Sequence, residues 1–255
     1  MTSLATILQT GRVWRGTSVC AAGEAGLASG FATLDAQLPG GGWPVGALTE
    51  ILPAHEGIGE LRILGPALAR LSAQGRSLVW IAPPYLPYAP ALAAAGIALS
   101  RVVIVRTADV RDALWATEQA LRANTCGAVL CWLDRPRHAA RHAARFTAHF
   151  TDLRRLQVAA EGGHAASFVF RRPAAANESS PAPLRLSLDT DAGGLAVRIF
   201  KRRGGPLSRP VLIPALATPF SSTHSAVHAQ QRSCHALDRL SPAAPAARTV
   251  RLTHA

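Results

Sequence analysis

The sequence has almost no lysine, since Lys201 is the single lysine among its 27 Lys and Arg residues. A nucleotidase with a phosphate loop needs a lysine inside a glycine-rich loop, where it neutralises the phosphates. Lys201 lies instead late in the chain, in the segment Phe200-Lys201-Arg202-Arg203-Gly204. The composition therefore argues against a working ATPase of that type.

Other features are scarce as well. The four cysteines have no C-x-x-C spacing, which predicts reduced, mostly buried thiols in an intracellular protein and neither a zinc site nor a disulfide framework. No apolar stretch approaches the roughly 18 residues of a transmembrane helix. The N-terminal residues lack the basic start and long apolar core of a secretory signal. We expect a cytoplasmic protein without a membrane association.

Positive charge is abundant but unevenly distributed. The first 130 residues carry nine arginines and eight acidic residues, whereas the rest of the chain carries 18 basic and seven acidic residues. Such asymmetry is typical of a protein that meets an acidic or polyanionic partner with its C-terminal half. A high arginine content inherited from genome composition is the alternative explanation.

In the middle of the chain, short apolar runs alternate with segments of helical periodicity. Residues 109–124 predict an amphipathic helix capped by Asp109. A second helix is predicted from Asp134, with Phe150 and Leu153 on its buried face. Regular alternation of strand and helix is typical of a parallel, doubly wound sheet. The predicted strands are residues 48–52, 77–82, 102–105 and 128–133.

The pattern changes after residue 155, where strand-like segments follow one another without helices and predict antiparallel or mixed strands. Residues 173–183 predict a mobile loop between two of these strands. We divide the chain into an N-terminal arm (1–26), a core (27–215) and a basic, disordered tail (216–255). The strand-like segments are residues 156–160, 166–170, 184–188 and 195–200.

The most informative stretch precedes and follows the first predicted strand. It contains the segments GFATLD (residues 30–35), LPGGGWPVG (38–46) and the strand ALTEIL (47–52). This order resembles the entry to the core of RecA-like recombinases. In that family the strand leads into a phosphate loop, in which backbone N–H groups, a lysine and a hydroxyl bind the nucleotide and its magnesium.

The residues at the phosphate-loop position do not suit a nucleotide. Ile58 occupies the position of the lysine and Gly59 that of the magnesium-binding hydroxyl, while Glu56 brings a negative charge towards the phosphates. Only Pro53 and Gly57 match the loop. A buried encounter between carboxylate and phosphate is unfavourable, so ATP binding in the usual pose is not expected.

Two further positions depart from the recombinase pattern. The second strand ends in APPY (residues 82–85) where that family carries its water-activating glutamate. Trp132 occupies the position of the magnesium-associated aspartate, and Asp134 comes two residues late. Together with the degenerate loop, these losses predict a protein that is not an enzyme and holds neither a cofactor nor a metal.

The loop GIGEL (57–61), Pro66 and the segment KRRGGP (201–206) make residues 27–215 similar to the ImuA family. The resemblance implies an α/β fold with a RecA-like core: a mainly parallel sheet flanked by helices, with mixed or antiparallel strands on the C-terminal side. It also implies a non-catalytic accessory of SOS-induced, error-prone translesion DNA synthesis. Its partners would be an ImuB-like protein and an alternative DNA polymerase III alpha subunit, with RecA or DNA as further candidates. A SulA-type cell division inhibitor, from a related RecA-derived group, and a simple non-specific DNA-binding protein stay open as alternatives.

Several side chains are candidate contacts with a partner protein or DNA, because arginine forms forked hydrogen bonds with carboxylates and phosphates. Few aromatic residues accompany the basic ones, which favours weak DNA binding at most. An aromatic anchor in the N-terminal arm would suit self-association. Each basic group can equally be ordinary solvated surface. The candidates are the helical stripe Arg137, Arg141 and Arg145, the cluster Lys201, Arg202 and Arg203, and Trp14. The tryptophans expected to pack in or beside the core are Trp43, Trp80, Trp115 and Trp132.

Overall fold

The computed structural model describes residues 25–133, 148–191, 193–214 and 248–251. They form one nine-stranded sheet whose strand order is β8-β7-β6-β1-β5-β4-β2-β3-β9. The strands are β1 (Leu48–Pro53), β2 (Ser77–Ile81), β3 (Val102–Arg106), β4 (Cys126–Trp132), β5 (Ala166–Phe170), β6 (Leu184–Asp191), β7 (Gly194–Lys201), β8 (Val211–Pro214) and β9 (Arg248–Arg251).

Most neighbouring strands are parallel. β1 lies between β5 and β6 and is parallel to both, and β4, β2, β3 and β9 continue the parallel part. Among the described strands, only the β6–β7 and β7–β8 pairs are antiparallel. The prediction of a mainly parallel sheet with antiparallel strands on the C-terminal side is confirmed.

Five α-helices connect or flank the described strands, and Asp109 caps one of them as predicted. Its Oδ1 accepts a hydrogen bond of 2.9 Å from the backbone N–H of Asp112. Within the described ranges no helix is both long and apolar enough to cross a bilayer. The helices are α1 (Ala32–Asp35), α2 (Gly65–Ala73), α3 (Ala89–Ala94), α4 (Val110–Arg122) and α5 (Phe150–Ala160).

Each face of the sheet has its own apolar core. One core includes Leu34 of α1 and Leu68 of α2. The other includes Leu121 of α4 and Leu153 of α5. Strands covered on both sides are expected to be almost continuously apolar, and β4, which is buried at every position, shows this pattern. Two layers of helices around a parallel sheet leave the strand ends and the loops for function.

One predicted strand is wrong, because residues 156–160 form the second half of α5. The buried side chains of this helix, Leu153, Leu156, Gln157 and Ala160, recur at the spacing of a helix and continue its apolar stripe. The side-chain amide oxygen of Gln157 also accepts a hydrogen bond of 3.0 Å from the backbone of Leu48. Phe150, expected on the buried face, begins the helix and is half exposed. Residues 134–147 lie outside the described part.

Three further expectations need correction. Trp115 is 51% exposed on α4, because its position faces away from the sheet. Residues 173–183 are not a mobile loop, since they contain a 3-10 helix (Pro173–Asn177) and bury Ala175, Ser180 and Ala182. Part of the tail is ordered, because β9 pairs with β3 and extends the sheet.

The described cysteines agree with the prediction of reduced thiols. Cys126 and Cys131 are free and buried. Burial raises the pKa of Cys131 to about 12, so that it stays a neutral thiol within the core. Cys20 and Cys234 lie outside the described residues.

Candidate functional site

The parallel strands β1, β2, β4 and β5 bring their carboxyl ends to one edge of the sheet, where α/β proteins commonly bind ligands. A cavity of about 160 Å³ lies at this edge. Its walls include Pro53 at the end of β1, Trp132 of β4 and Phe170 of β5, together with Pro84 from the segment after β2. This cavity occupies the place where the resemblance to recombinases would put a phosphate loop.

The loop that follows β1 differs in geometry from a phosphate loop. The chain bends and turns through residues 54–64, and α2 begins only at Gly65. Gly57 and Gly59 have φ angles of 77° and 100°, which other residues rarely adopt. Ile58 is partly buried and packs against the core. The residue at the lysine position is therefore a packing residue, and no helix begins beside it.

Glu56 joins this loop to the segment after β2. It is exposed, and its Oε2 accepts a hydrogen bond of 2.8 Å from the hydroxyl of Tyr85. This hydrogen bond and the charge of Glu56 raise the pKa of Tyr85. The carboxylate that we expected to repel a nucleotide thus has a partner within the protein.

Glu60 is a site residue that the sequence analysis did not single out. It lines the cavity and is only 8% exposed. Its Oε2 atom is buried and has no hydrogen-bond partner among the residues that the structure describes. The sequence does contain a signal for this site, because Glu60 directly follows Gly59, which occupies the position of the magnesium-binding hydroxyl. Spacing alone does not predict that the carboxylate is buried without a hydrogen-bond partner.

The inner wall of the cavity is aromatic. The rings of Trp132 and Phe170 stack with centroids 4.5 Å apart and planes 10° apart. The ring centroid of Trp80, on β2, lies 5.9 Å from that of Trp132. Stacking follows from the register, because Trp132 lies opposite Phe170 in the β4–β5 pair. At the position where the recombinase pattern has the magnesium-associated aspartate, the structure has a buried stack of aromatic rings.

The segment after β2 leaves its large apolar side chains in solvent. Tyr85 is 60% exposed, Leu86 67% and Tyr88 72%, and α3, which follows, has no buried residue. No charged residue occurs between Arg76 and Arg101. We call residues 85–88 the exposed aromatic segment. Clustered exposed apolar side chains of this kind are typical of protein interaction sites.

The exposed aromatic segment begins at a strained turn. Ala82 is buried and has a φ angle of 52°, an uncommon conformation for a residue with a side chain. Its backbone N–H donates a hydrogen bond of 2.9 Å to the carbonyl of Val105, which fixes the turn. Residues held in such conformations cost of the order of 1–3 kcal/mol and are frequent at functional sites.

A network of buried charges lies behind the cavity. Glu50 of β1 is fully buried, and its Oε2 accepts a hydrogen bond of 2.6 Å from Nε of Arg185. Its Oε1 accepts one of 2.5 Å from the hydroxyl of Ser180. Arg171, at the end of β5, donates a hydrogen bond of 2.7 Å to Glu178, which lowers the pKa of that carboxyl. The network anchors residues 173–183 to the sheet.

The basic cluster at the end of β7 belongs partly to this network. Nζ of Lys201 donates a hydrogen bond of 2.6 Å to the carbonyl of Ser180, and burial lowers the pKa of Lys201. Arg202 donates to the carbonyls of Gly205 and Gln37, whereas Arg203 is exposed. These contacts favour a structural role for Lys201 and Arg202. The other candidate contacts lie outside the described residues: Trp14, Arg137, Arg141 and Arg145.

Two comparisons place part of this chain beside known proteins. Residues 46–166 match the family described as "Cell division inhibitor SulA". The cell division inhibitor SulA of Edwardsiella piscicida is 37% identical over 71 residues, which make up 28% of this chain and 42% of that protein. The chain thus spans less than half the length of this relative.

Residues 46–166 are therefore similar to the SulA family. The matched range contains the loop after β1 and the exposed aromatic segment. Of the four strands whose carboxyl ends form the cavity, it contains β1, β2 and β4 and only the first residue of β5. Of the functions left open by the sequence, the SulA-type alternative is better supported by these comparisons than the ImuA interpretation.

Proposed function

We propose that this protein is a non-catalytic inhibitor of cell division of the SulA type, which acts by binding a protein partner at the carboxyl edge of its sheet. The observation that carries the proposal is the exposed aromatic segment beside the cavity, within the region that matches the SulA family. The sheet, in this proposal, is a RecA-like core that has lost its phosphate loop.

The loop after β1 supports the non-catalytic part of the proposal. Ile58 packs against the core where a lysine would have to face phosphates, and α2 begins seven residues later. The cavity of about 160 Å³ is also small, because pockets for small-molecule ligands measure about 300–1,000 Å³. A nucleoside triphosphate with magnesium would not fit without rearrangement of this edge.

The exposure of Tyr85, Leu86 and Tyr88 supports the part of the proposal that concerns protein binding. Three large apolar side chains in four consecutive positions stay in solvent, although burying each would contribute about 1.5–3 kcal/mol. A partner with a complementary apolar surface would gain this free energy on binding. Tyrosine is enriched at such interfaces because its ring is apolar and its hydroxyl forms hydrogen bonds.

Induced expression in the bacterium that encodes the protein tests the proposal. We expect the wild type to block division, so that cells elongate into filaments. Leu86→Asp should abolish filamentation because it puts a charge into the contact surface. Leu212→Asp is the matched control, since Leu212 is 52% exposed on β8, six strand positions away from β2. Equal filamentation by both variants, at equal protein levels, would contradict the proposal.

A second candidate is the ImuA-type adaptor of translesion synthesis. One observation favours it: the SulA match ends at residue 166, whereas the same sheet continues through β6, β7 and β8. The resemblance to ImuA proteins extends over residues 27–215 and includes these strands. Purification of a tagged copy from DNA-damaged cells separates the candidates. Recovery of an ImuB-like protein favours the adaptor, recovery of division proteins favours the inhibitor, and salt-sensitive recovery of DNA alone favours a DNA-binding protein.

A further inference from the structure

We propose that a second cavity, which we call the Arg106 cavity, receives an aspartate or glutamate side chain of the partner protein, with Arg106 as the donor to its carboxylate. This cavity lies at the carboxyl ends of β2 and β3, beside the exposed aromatic segment. The inference rests on the proposed function, because it names the chemistry by which that partner is recognised. One partner segment, with an acidic residue between apolar ones, would cover both surfaces.

The Arg106 cavity has the size of one side chain. Its volume is about 190 Å³, whereas pockets for small-molecule ligands measure about 300–1,000 Å³. Tyr85 and Leu86 of the exposed aromatic segment line it, together with Ile104 and Arg106 of β3. A partner that covers the exposed aromatic segment therefore also meets the opening of this cavity.

The geometry of β3 gives the cavity an apolar base and a charged rim. Residues two apart on a strand lie on the same face of the sheet, so Ile104 and Arg106 share one face. Ile104 is 3% exposed and belongs to the apolar core. Arg106 ends the strand and is exposed. Its guanidinium can therefore meet a ligand that enters from solvent.

The charge in this lining is positive and uncompensated. Among the described residues, Arg106 is the one charged residue that lines the cavity, and no described side chain forms a hydrogen bond or an ion pair with it. The first cavity differs, because its arginines, Arg171 and Arg172, contact a carboxylate of Glu178. An acidic side chain would be the first carboxylate that Arg106 meets.

The pairing of β3 with β9 is an independent argument for an anion. Arg106 lies opposite Arg251 in this parallel pair, and paired positions on neighbouring strands are about 4.8 Å apart. Like charges at paired positions destabilise a sheet. A bound anion at this end of the pair would compensate both positive charges, and the described lining of the cavity contains no acidic residue that does so.

The surroundings of Arg106 favour a carboxylate over a phosphate, although arginine binds both. An aspartate or glutamate brings an apolar stem, which suits the side chains of Pro83 and Leu86 in the lining. A nucleic-acid backbone is bound by several cations along its path. Residues 77–100, which include the exposed aromatic segment, carry no charge. A protein segment therefore fits this surface better than a nucleic-acid strand.

Titration of the full-length protein with blocked tripeptides tests the inference. The probes are Leu-Glu-Leu and Leu-Gln-Leu, which has almost the same shape without the charge, and inorganic phosphate is the third probe. The readout is the backbone N–H resonance of Thr107, which lines the cavity, in NMR spectra. We expect a saturable shift with Leu-Glu-Leu at a dissociation constant of about 1 mM. Leu-Gln-Leu should bind about 10-fold more weakly, because hydrogen bonds to a charged group are stronger.

Arg106→Gln is the decisive variant, because it removes the guanidinium from an exposed position where the fold does not depend on it. It should weaken binding of Leu-Glu-Leu by about 10-fold. Arg101→Gln is the matched control, since Arg101 is also exposed but lies directly before β3, at the other end of the strand, and does not line the cavity. This control should bind the peptide like the wild type.

Four results would overturn the inference. They are the absence of a saturable shift with Leu-Glu-Leu, equal binding of Leu-Gln-Leu, binding by Arg106→Gln that equals the wild type, and binding of inorganic phosphate as tight as that of the acidic peptide. The last result would assign the cavity to a phosphate ligand such as a nucleic acid.

The outcome is separable from that of the proposed function, because the titration needs no partner protein and filamentation needs no peptide. Failure of the titration with filamentation intact would remove the carboxylate contact and leave the division inhibitor. Successful titration without filamentation would keep the carboxylate site and remove the division protein as its partner.

Discussion

The hydroxyl of Tyr85 donates a hydrogen bond of 2.8 Å to Oε2 of Glu56 and so links the loops that follow β1 and β2. One end of this link is the loop after β1, and the other is the exposed aromatic segment. Tyr85 loses its role as donor when it ionises, and this gives a way to measure the contact.

Glu56→Gln should lower the pKa of Tyr85 towards its ordinary value of 10.0, because the hydrogen bond to Glu56 and the charge of Glu56 raise it. The contact contributes fully below pH 10.0 and is lost as the pH rises through the raised pKa. Absorbance of tyrosinate during a pH titration measures the shift. Tyr88→Phe is the background of choice, since the chain has two tyrosines. An identical titration with and without Glu56 would show that the contact is absent in solution.

Glu50→Gln should lower the free energy of unfolding by about 3–5 kcal/mol, because it leaves the buried guanidinium group of Arg185 without the charge that compensates it. Urea denaturation followed by circular dichroism measures this loss. Glu161→Gln is the control, because both Glu161 and its partner Arg154 are more than half exposed. That change should cost about 1 kcal/mol or less. Equal losses for the two variants would contradict the buried network.

Ile58→Lys restores the missing lysine and should still give no binding of MgATP. The backbone after β1 turns until Gly65, so no helix N-terminus faces the phosphates, and Glu56 and Glu60 remain in the cavity wall. Isothermal titration calorimetry with MgATP measures binding, and circular dichroism verifies the fold. Micromolar affinity of either the wild type or the variant would overturn the non-catalytic interpretation.

Periodicity predicted much of this fold because the central strands β1, β2, β4 and β5 are buried on both faces and therefore nearly continuous in apolar residues. The sequence predicted β1 to β7 and the cap at Asp109 but not β8 and β9. Residues 156–160 were assigned to a strand because a short apolar run does not reveal its period unless the preceding turn of helix is included. Trp115 was misplaced because residue type alone does not decide which side of an amphipathic helix an aromatic ring occupies.

The candidate site was only partly predictable. Missing residues in the loop predict that no nucleotide is bound, and this stays a prediction. Glu60 and the stacked rings of Trp132 and Phe170 come from three elements distant in sequence, so their proximity depends on strand order. Lys201 illustrates the opposite case, because a basic residue beside a glycine turn suggested a partner contact and forms a hydrogen bond to Ser180 instead.

The most direct test of the central claim is site-specific photo-crosslinking in living cells after DNA damage. A photoreactive amino acid replaces Tyr88, which is 72% exposed in the exposed aromatic segment, or Leu212 on β8 as the control. The account predicts that position 88, and not position 212, captures a protein of the cell division machinery. Capture at position 212 alone, or no capture from position 88 while cells form filaments, would contradict it.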